Sequence, residues 1–292
     1  MSSLKGKLLL NEPMARYTSW RVGGAADQCY TPSDLEDLQQ FLQGLDATTP
    51  VYFVGLGSNL LVRDGGIRGA VVMMHNVLTE LRMEGDLVYA EAGVTCAKLA
   101  KFCAKEAKQG AEFFAGIPGT VGGALAMNAG CYGSETWNVV KRVSMINKLG
   151  EVTIRDATEF IASYRHIEKP VTDEWFVAVW LALADGDAHD STLRIKELLA
   201  KRLASQPLNL PSAGSTFRNP QGDFAARLIE ASGLKGFVIG GAQVSEKHAN
   251  FIVNIGGATA LDIELLIRHM QDTVLEKQGV SLHQEVKVLG ER

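Results

Sequence analysis

Six glycines lie within Gly116-Ile117-Pro118-Gly119-Thr120-Val121-Gly122-Gly123-Ala124-Leu125-Ala126-Met127-Asn128-Ala129-Gly130-Cys131-Tyr132-Gly133, a stretch without a single charged side chain. Glycine tolerates positive φ and carries no Cβ, so successive main-chain N–H groups can face one space. A helix starting near Thr120 would add its positive end to that space. Such a stretch suits a diphosphate. Two smaller glycine loops point the same way. Gly55-Leu56-Gly57-Ser58-Asn59 ends a strand and offers a hydroxyl and an amide beside its N–H groups, and Arg21-Val22-Gly23-Gly24 sets a cation before paired glycines. Neither common nucleotide motif is present: no Gly-Lys-Ser/Thr closes a P-loop, and residues 55–60 lack the third glycine of a dinucleotide fingerprint. The competing readings are a glycine-rich helix contact for the long stretch and ordinary turns for the other two.

Other residues could do chemistry, but their local patterns are ambiguous. Tyr164-Arg165 sits in a polar loop, where such pairs are ordinarily solvated. Ser212-Ala213-Gly214-Ser215-Thr216-Phe217-Arg218-Asn219-Pro220 combines hydroxyls, a cation and an amide, yet no G-x-S-x-G elbow marks a serine hydrolase. Glu285 stands among apolar neighbours in a terminal strand, a place where Glu is more often exposed than functional. Cys29, Cys96, Cys103 and Cys131 form no CxxC pair and have no histidine at zinc spacing, so neither a disulfide nor a metal is expected.

The elements that must position these residues follow from periodicity and caps. Ser33-Asp34-Leu35-Glu36 reads as a capping box opening a helix over 33–45. Strands are expected at 51–54, 60–63, 69–74, 80–84 and 87–92, then a helix capped by Thr95 and ending at Gly110, and the glycine-rich helix at 120–129. Strands at 139–147, 151–154 and 175–184 complete a first domain. A polar linker at 185–190 leads to a helix at 191–205, a helix at 223–232, strands at 237–245 and 251–254, and a strand within 282–288. The longest helix, 259–278, is expected to face inward with Leu261, Leu265, Ile267/Arg268 and Met270 to Leu275. The pattern is α+β, with domains at 14–188 and 189–292; whether the last strand returns to the first domain is open.

Composition narrows the class. A chain of 292 residues has a prior of about two domains, and a net charge of −4 without any basic run argues against a general nucleic-acid binder. The longest apolar stretch, 176–184, is well short of the ~20 residues that span a bilayer, and residues 1–10 lack a signal-peptide core. The sequence therefore reads as a cytoplasmic protein with no membrane partner.

Taken in order, Arg21-x-Gly23-Gly24, Gly55-x-Gly57-Ser58-Asn59, the long glycine motif with its Asn128-Ala129-Gly130 tail, Tyr164-Arg165, Gly214-Ser215-Thr216-Phe217-Arg218-Asn219-Pro220 and Glu285 resemble the UDP-N-acetylenolpyruvoylglucosamine reductase family from about Asn11 to the end. The resemblance implies an FAD-binding domain of the vanillyl-alcohol-oxidase (PCMH) type in two subdomains, followed by a C-terminal substrate domain. It implies non-covalent FAD held by Arg21, Gly23, Gly55, Gly57, Ser58, Asn59, Gly116, Pro118, Gly119, Thr120, Gly122, Gly123, Asn128 and Gly130. NADPH would be the co-substrate, leaving before UDP-N-acetylglucosamine enolpyruvate enters the same cleft. Hydride addition to the enol ether makes a carbanion beside a carboxylate, so cations and hydrogen-bond donors must meet its oxygens. By motif position Arg165 and Glu285 would serve there, Ser215 would donate the proton, and Tyr164, Arg218, Asn219 and Asn250 would contact substrate.

Two departures from the family pattern are visible. His166-Ile167 follows Tyr164-Arg165 where a serine is more usual, and Arg218 replaces the commoner lysine, keeping charge but changing hydrogen-bond geometry. The short run from Arg165 to Asp190 leaves no room for the inserted tyrosine loop of longer members, which places the chain with the shorter type. Two alternatives remain open at this level: another flavin oxidoreductase acting on a sugar or hydroxy acid, and a non-catalytic flavin- or nucleotide-sugar-binding module.

Overall fold

The computed structural model describes residues 4–292. The chain packs into two units, each with its own apolar core. The first comprises residues 4–9, Cys29–Leu56 and Ala70–Arg202; the second comprises Leu10–Gln28, Gly57–Gly69 and Leu203–Arg292.

The first unit is built on a five-stranded antiparallel sheet ordered Val152–Asp156, Val140–Asn147, Glu174–Ala182, Leu87–Glu91, Leu81–Glu84. The middle strand is a continuous apolar run, buried from Phe176 through Leu181, as a strand covered on both faces must be. A separate parallel pairing joins Val51–Val54 to residues 70–73. Helix α1 (Leu35–Gln43) is capped by Asp34, one residue later than the expected capping box, and buries Leu38, Phe41 and Leu42. Helix α2 (Cys96–Lys105) starts at its Thr95 cap but stops short of Gly110, because Lys108–Gln109 pairs with Ala184–Asp185 instead. That pairing also occupies the start of the expected 185–190 linker. Helix α3 (Val121–Met127) is capped by the Thr120 hydroxyl and ends at Asn128 in the left-handed conformation. Helix α4 (Ala188–Ser205) buries Ile195 in the first unit's core.

In the second unit residues 237–245, expected as one strand, form a hairpin. Gly240, at φ 54°, turns Val238–Ile239 back onto Ala242–Val244, and Ile252–Asn254 adds a third strand. Helix α6 (Ala260–Gln278) packs against this small sheet, and helix α5 (Ala225–Ala231) packs against α6 in the same core. Thr259 and Asp262 form a reciprocal capping box at the start of α6, Asp64 accepts further N–H bonds from Ala260 and Leu261, and Gly279 ends the helix at φ 68°. The buried stripe of α6 is Ile263, Leu266, Ile267, Met270 and Val274, whereas Leu261, Leu265 and Leu275 are 51%, 44% and 52% exposed. At 100° per residue those three leucines lie on the opposite side from the stripe, so they are not inner-face residues. The terminal strand Lys287–Leu289 pairs in parallel with Leu60–Val62. Trp20 is fully buried and donates its indole N–H to the Ile252 carbonyl at 2.7 Å, fastening residues 10–28 to this core. Among the described residues no helix is long and apolar enough to cross a membrane.

One buried carboxylate ties down the start of the first unit. Asp37 accepts bonds from the Tyr30 hydroxyl at 2.6 Å, the Lys5 N–H at 2.7 Å and the Ser33 N–H at 2.9 Å. Burial pushes its pKa up, but these donors more than offset that and hold it below the ordinary carboxylate value. A depressed native pKa contributes stability that is fully present above the unfolded value of about 3.9 and is lost as pH falls through the native one. Asp37→Asn is therefore expected to be less stable than the parent at pH 7. The gap should narrow below about pH 4, where the parent loses this contribution. Urea titrations at pH 7 and pH 3 check this; a gap independent of pH would contradict it.

Candidate active site

In the first unit, strand Val51–Val54 and helix α3 converge on a cavity of about 220 Å³, lined in part by Gly55, Thr120, Gly122, Gly123 and Ala126. The glycines differ in why they are glycine. A Cβ on Gly55 would lie 2.4 Å from the Thr120 hydroxyl, and one on Gly122 would lie 2.9 Å from the Ala92 Cβ, so both serve the protein's own packing. At Gly123 a Cβ would meet only the Thr120 hydroxyl, at 3.6 Å, and would project into open space. Its missing side chain keeps the cavity clear, which is what a backbone-hugging diphosphate needs.

The expectation that the first N–H groups of α3 point at such a ligand is not met. Val121 donates to the Val94 carbonyl at 2.8 Å, Gly122 to the Ala92 carbonyl at 2.9 Å, and Gly123 to the Thr120 hydroxyl at 3.3 Å. The helix start is stitched to residues 92–94, and what it presents is a bare surface at Gly123 and Ala126. Gly119, buried, accepts from the Cys96 N–H, while Pro118 is exposed. Gly116 is glycine because a Cβ would lie 2.6 Å from the Tyr132 ring.

Asn128 and Gly130, expected as cofactor contacts, are engaged elsewhere. Asn128 is 1% exposed; its amide donates to Glu135 at 2.8 Å and to the Ser163 carbonyl at 3.0 Å, and its oxygen accepts from the Trp137 N–H at 3.1 Å. Gly130 accepts from the Arg165 Nη2 at 2.7 Å. Tyr164 and Arg165 form the two-residue turn of a short hairpin, Ile161–Ser163 with His166–Glu168, and Arg165 takes φ 57°. The Arg165 guanidinium stands 5.2 Å from the centre of the exposed Tyr164 ring. Nearby, burial pushes the Cys131 thiol up to about 11 against the lowering effect of Arg165 and Arg202, and Cys103 to about 12. Neither thiol is a nucleophile at neutral pH.

The second unit gathers the remaining candidates. Residues 216–218 run antiparallel to 283–285: Glu285 N–H donates to the Thr216 carbonyl at 2.8 Å and Arg218 N–H to the His283 carbonyl at 2.9 Å. On the other side the buried Asn250 accepts from Thr216 N–H with its carbonyl. Its side-chain oxygen accepts from Phe217 N–H at 3.0 Å, and its side-chain nitrogen donates to the Phe217 carbonyl at 2.8 Å. With 3% exposure and both ends of its amide bonded to Phe217, Asn250 holds this segment in place. Asn59 donates to the Glu285 carbonyl at 3.2 Å and Asn219 accepts from Ala225 N–H at the head of α5. Ser58 and Ser215 are partly exposed. Gly57 is glycine for the protein's sake, with φ 59° and a Cβ position 1.9 Å from the Tyr17 carbonyl, and so is Gly23, at φ 128° against Val62. Exposed Arg21 lines a second opening of about 350 Å³ with Thr18, Ser19 and residues 208–212.

Several lining residues were not singled out from the sequence. Phe53 and Trp175, stacked 4.9 Å apart, share the first cavity with Lys169 and Glu174. Glu174 is buried and accepts from Arg155 Nε and Nη2, each at 2.7 Å. Glu174 and Trp175 are neighbours on one strand, Phe53 comes from the strand paired in parallel with residues 70–73, and Lys169 follows the strand His166–Glu168, so no local motif announces the cluster.

Comparison with known proteins gives this geometry its chemical class. Residues 26–154 match the FAD binding domain family, and residues 206–289 match the C-terminal domain of UDP-N-acetylenolpyruvoylglucosamine reductase, which together describe a flavin-dependent oxidoreductase. The reductase of that name from Thiobacillus denitrificans is 53% identical, covering 99% of this chain and 94% of its own. That from Methylococcus capsulatus is 56% identical, over 98% of this chain and 94% of its own. The crystal structure of the Thermus caldophilus enzyme superposes with a TM-score of 0.83 at 31% identity, covering 98% of this chain and all of that one. The chain belongs to the UDP-N-acetylenolpyruvoylglucosamine reductase family.

Two glycine substitutions separate cofactor space from folding. Gly123→Leu places a side chain where the protein leaves room and gains about 0.5–1 kcal/mol of helix propensity, so it should fold with an unchanged or higher apoprotein Tm yet fail to retain FAD. Gly57→Ala should lower Tm, because it forces a left-handed residue against the Tyr17 carbonyl. Flavin absorbance per protein and thermal melts read both; a fully flavinated Gly123→Leu would contradict the assignment of this space.

Proposed function

We infer that this chain reduces UDP-N-acetylglucosamine enolpyruvate to UDP-N-acetylmuramate with FAD and NADPH, and that Arg165, Ser215 and Glu285 carry the chemistry. The reaction follows from family membership over nearly the whole chain; the assignment of residues is supported by how rigidly each is seated. The nucleotide-sugar and NADPH pools such a step draws on are cytoplasmic, and that is where we place it.

Gly55, Thr120, Gly122 and Gly123 around the first cavity would hold FAD, and the open Cα face of Gly123 fits a group that must approach the main chain. Bound there, the flavin supplies the two-electron reduction of the enol ether. The protein must then manage charge and a proton. Hydride addition to the methylene carbon leaves an enolate dianion, which a cation stabilises more strongly than it does the ground-state carboxylate. Arg165 is the residue proposed to meet those oxygens, with Glu285 polarising the carboxylate as the neutral acid, since two anions so close would repel. Ser215 holds the proton that goes to the carbon next to the carboxylate. A serine hydroxyl is a weak acid, but that carbon is strongly basic, so positioning decides the rate. Tyr164 and Arg218 are proposed substrate contacts.

The observation that carries this reading is the main-chain pairing of 216–218 with 283–285, which fixes the segments bearing Ser215 and Glu285 side by side. Ser215→Ala leaves that pairing intact. It should be reduced by NADPH at nearly the parent rate, while reoxidation by the enolpyruvyl substrate slows by ~10² to 10⁴-fold, the loss typical of a positioned acid. Stopped-flow absorbance at the flavin band resolves the two half-reactions. Equal reoxidation rates, or loss of the NADPH half-reaction instead, would reject Ser215 as donor.

A further inference from the structure

We propose that Asn128 is a positioning residue for Arg165, fixing the turn from which its guanidinium is presented; the proposal rests on the reading of Arg165 given above. The hairpin carrying Arg165 has only three residue pairs, Ile161↔Glu168, Ala162↔Ile167 and Ser163↔His166, and of its strand residues only Ile167 is buried. A two-stranded hairpin of that length does not hold itself in water. Arg165 also occupies the left-handed region, at φ 57°, where a non-glycine residue is strained and persists only if its surroundings impose it. Something outside the hairpin must hold this turn.

The structure supplies that hold from one short segment. Asn128 Nδ2 donates to the Ser163 carbonyl at 3.0 Å, immediately before the turn, and two residues on, the Gly130 carbonyl accepts from Arg165 Nη2 at 2.7 Å. Main chain and guanidinium are thus tied to the same three residues. The Asn128 amide cannot turn over: its nitrogen also faces Glu135 Oε2 at 2.8 Å, and its oxygen faces the Trp137 N–H at 3.1 Å. Glu135 is delivered by the tight pairing Glu135↔Gly130, which a Cβ on Gly130, 2.3 Å from the Ser134 carbonyl, would break. Backbone geometry does not require the side chain at 128. The left-handed cap that ends α3 at φ 42° would be served equally by glycine, so the amide is there for its three partners.

This separates the side chain from the cap experimentally. Asn128→Gly keeps the left-handed cap and removes the amide. Asn128→Asp keeps the acceptor for Trp137 but sets a carboxylate against Glu135 and the Ser163 carbonyl. In both FAD-loaded variants, reduction by NADPH should stay within about 2-fold of the parent while reoxidation by the enolpyruvyl substrate falls by about 10- to 100-fold, the scale of a misplaced transition-state contact. Amide hydrogen exchange of apo Asn128→Gly should accelerate over 163–166 and stay unchanged over 140–147 and 174–182. In an Arg165→Ala background, Asn128→Gly should slow reoxidation by less than about 2-fold more, because the group it positions is gone. If Arg165→Ala is slow but Asn128→Gly reoxidises normally, or if the two losses multiply, the positioning proposal is wrong and the reading of Arg165 stands. If Arg165→Ala itself reoxidises at the parent rate, the reading of Arg165 falls and takes this proposal with it.

Discussion

The grip of Asn250 on the main chain of Thr216 and Phe217 is the interaction on which the candidate chemistry most depends. Residues 212–220 are irregular, and a buried irregular backbone has to find partners for each polar group or lose about 1–3 kcal/mol per orphan. A side-chain amide presents a donor and an acceptor with the spacing of a peptide, so it can stand in for a neighbouring strand along one edge. The other edge is met by 283–285. Held between the two, the segment cannot drift, and the hydroxyl of Ser215 sits on a fixed backbone although it belongs to no regular element. Asn128 plays the same part in the first unit, where its amide bridges the Ser163 carbonyl and Glu135.

The glycines divide along a physical line that their abundance conceals. Gly57, Gly116 and Gly130 lack a Cβ because another part of the protein already fills its place, at 1.9, 2.6 and 2.3 Å. Gly123 lacks one with nothing nearer than 3.6 Å. Close packing explains the first kind completely and does not explain the second. The rich supply of glycine thus reflects mainly tight turns and close chain crossings, and Gly123 is the position we propose for the cofactor's approach. The leading N–H groups of α3 are taken by residues 92–94 and by Thr120.

Elements with local punctuation were legible from the sequence. Thr95, Thr120 and Thr259 open helices with their hydroxyls, and Gly279 closes α6. Where two patterns competed, local reading failed: Gly240-Gly241 turns a run of β-formers into a hairpin, and the leucines at 261, 265 and 275 made a second apolar stripe on α6 that tertiary packing leaves in solvent. Arg165, Ser215 and Glu285 are proposed from the order of family motifs, because nothing in their spacing marks them. The bonding of Asn128 and Asn250 was not legible, since their decisive partners lie 35 and 33 residues away and an isolated asparagine gives no sign of which carbonyl it will meet.

The central claim is that reducing equivalents pass from NADPH through protein-bound flavin to an enol ether and to no other class of substrate. An anaerobic titration of the FAD-loaded protein tests it most directly. One equivalent of NADPH should bleach the flavin band, and one equivalent of UDP-N-acetylglucosamine enolpyruvate should restore it fully with stoichiometric UDP-N-acetylmuramate. A flavin that stays reduced after the enolpyruvyl compound is added, or that is bleached by a sugar alcohol or hydroxy acid without NADPH, would contradict the account.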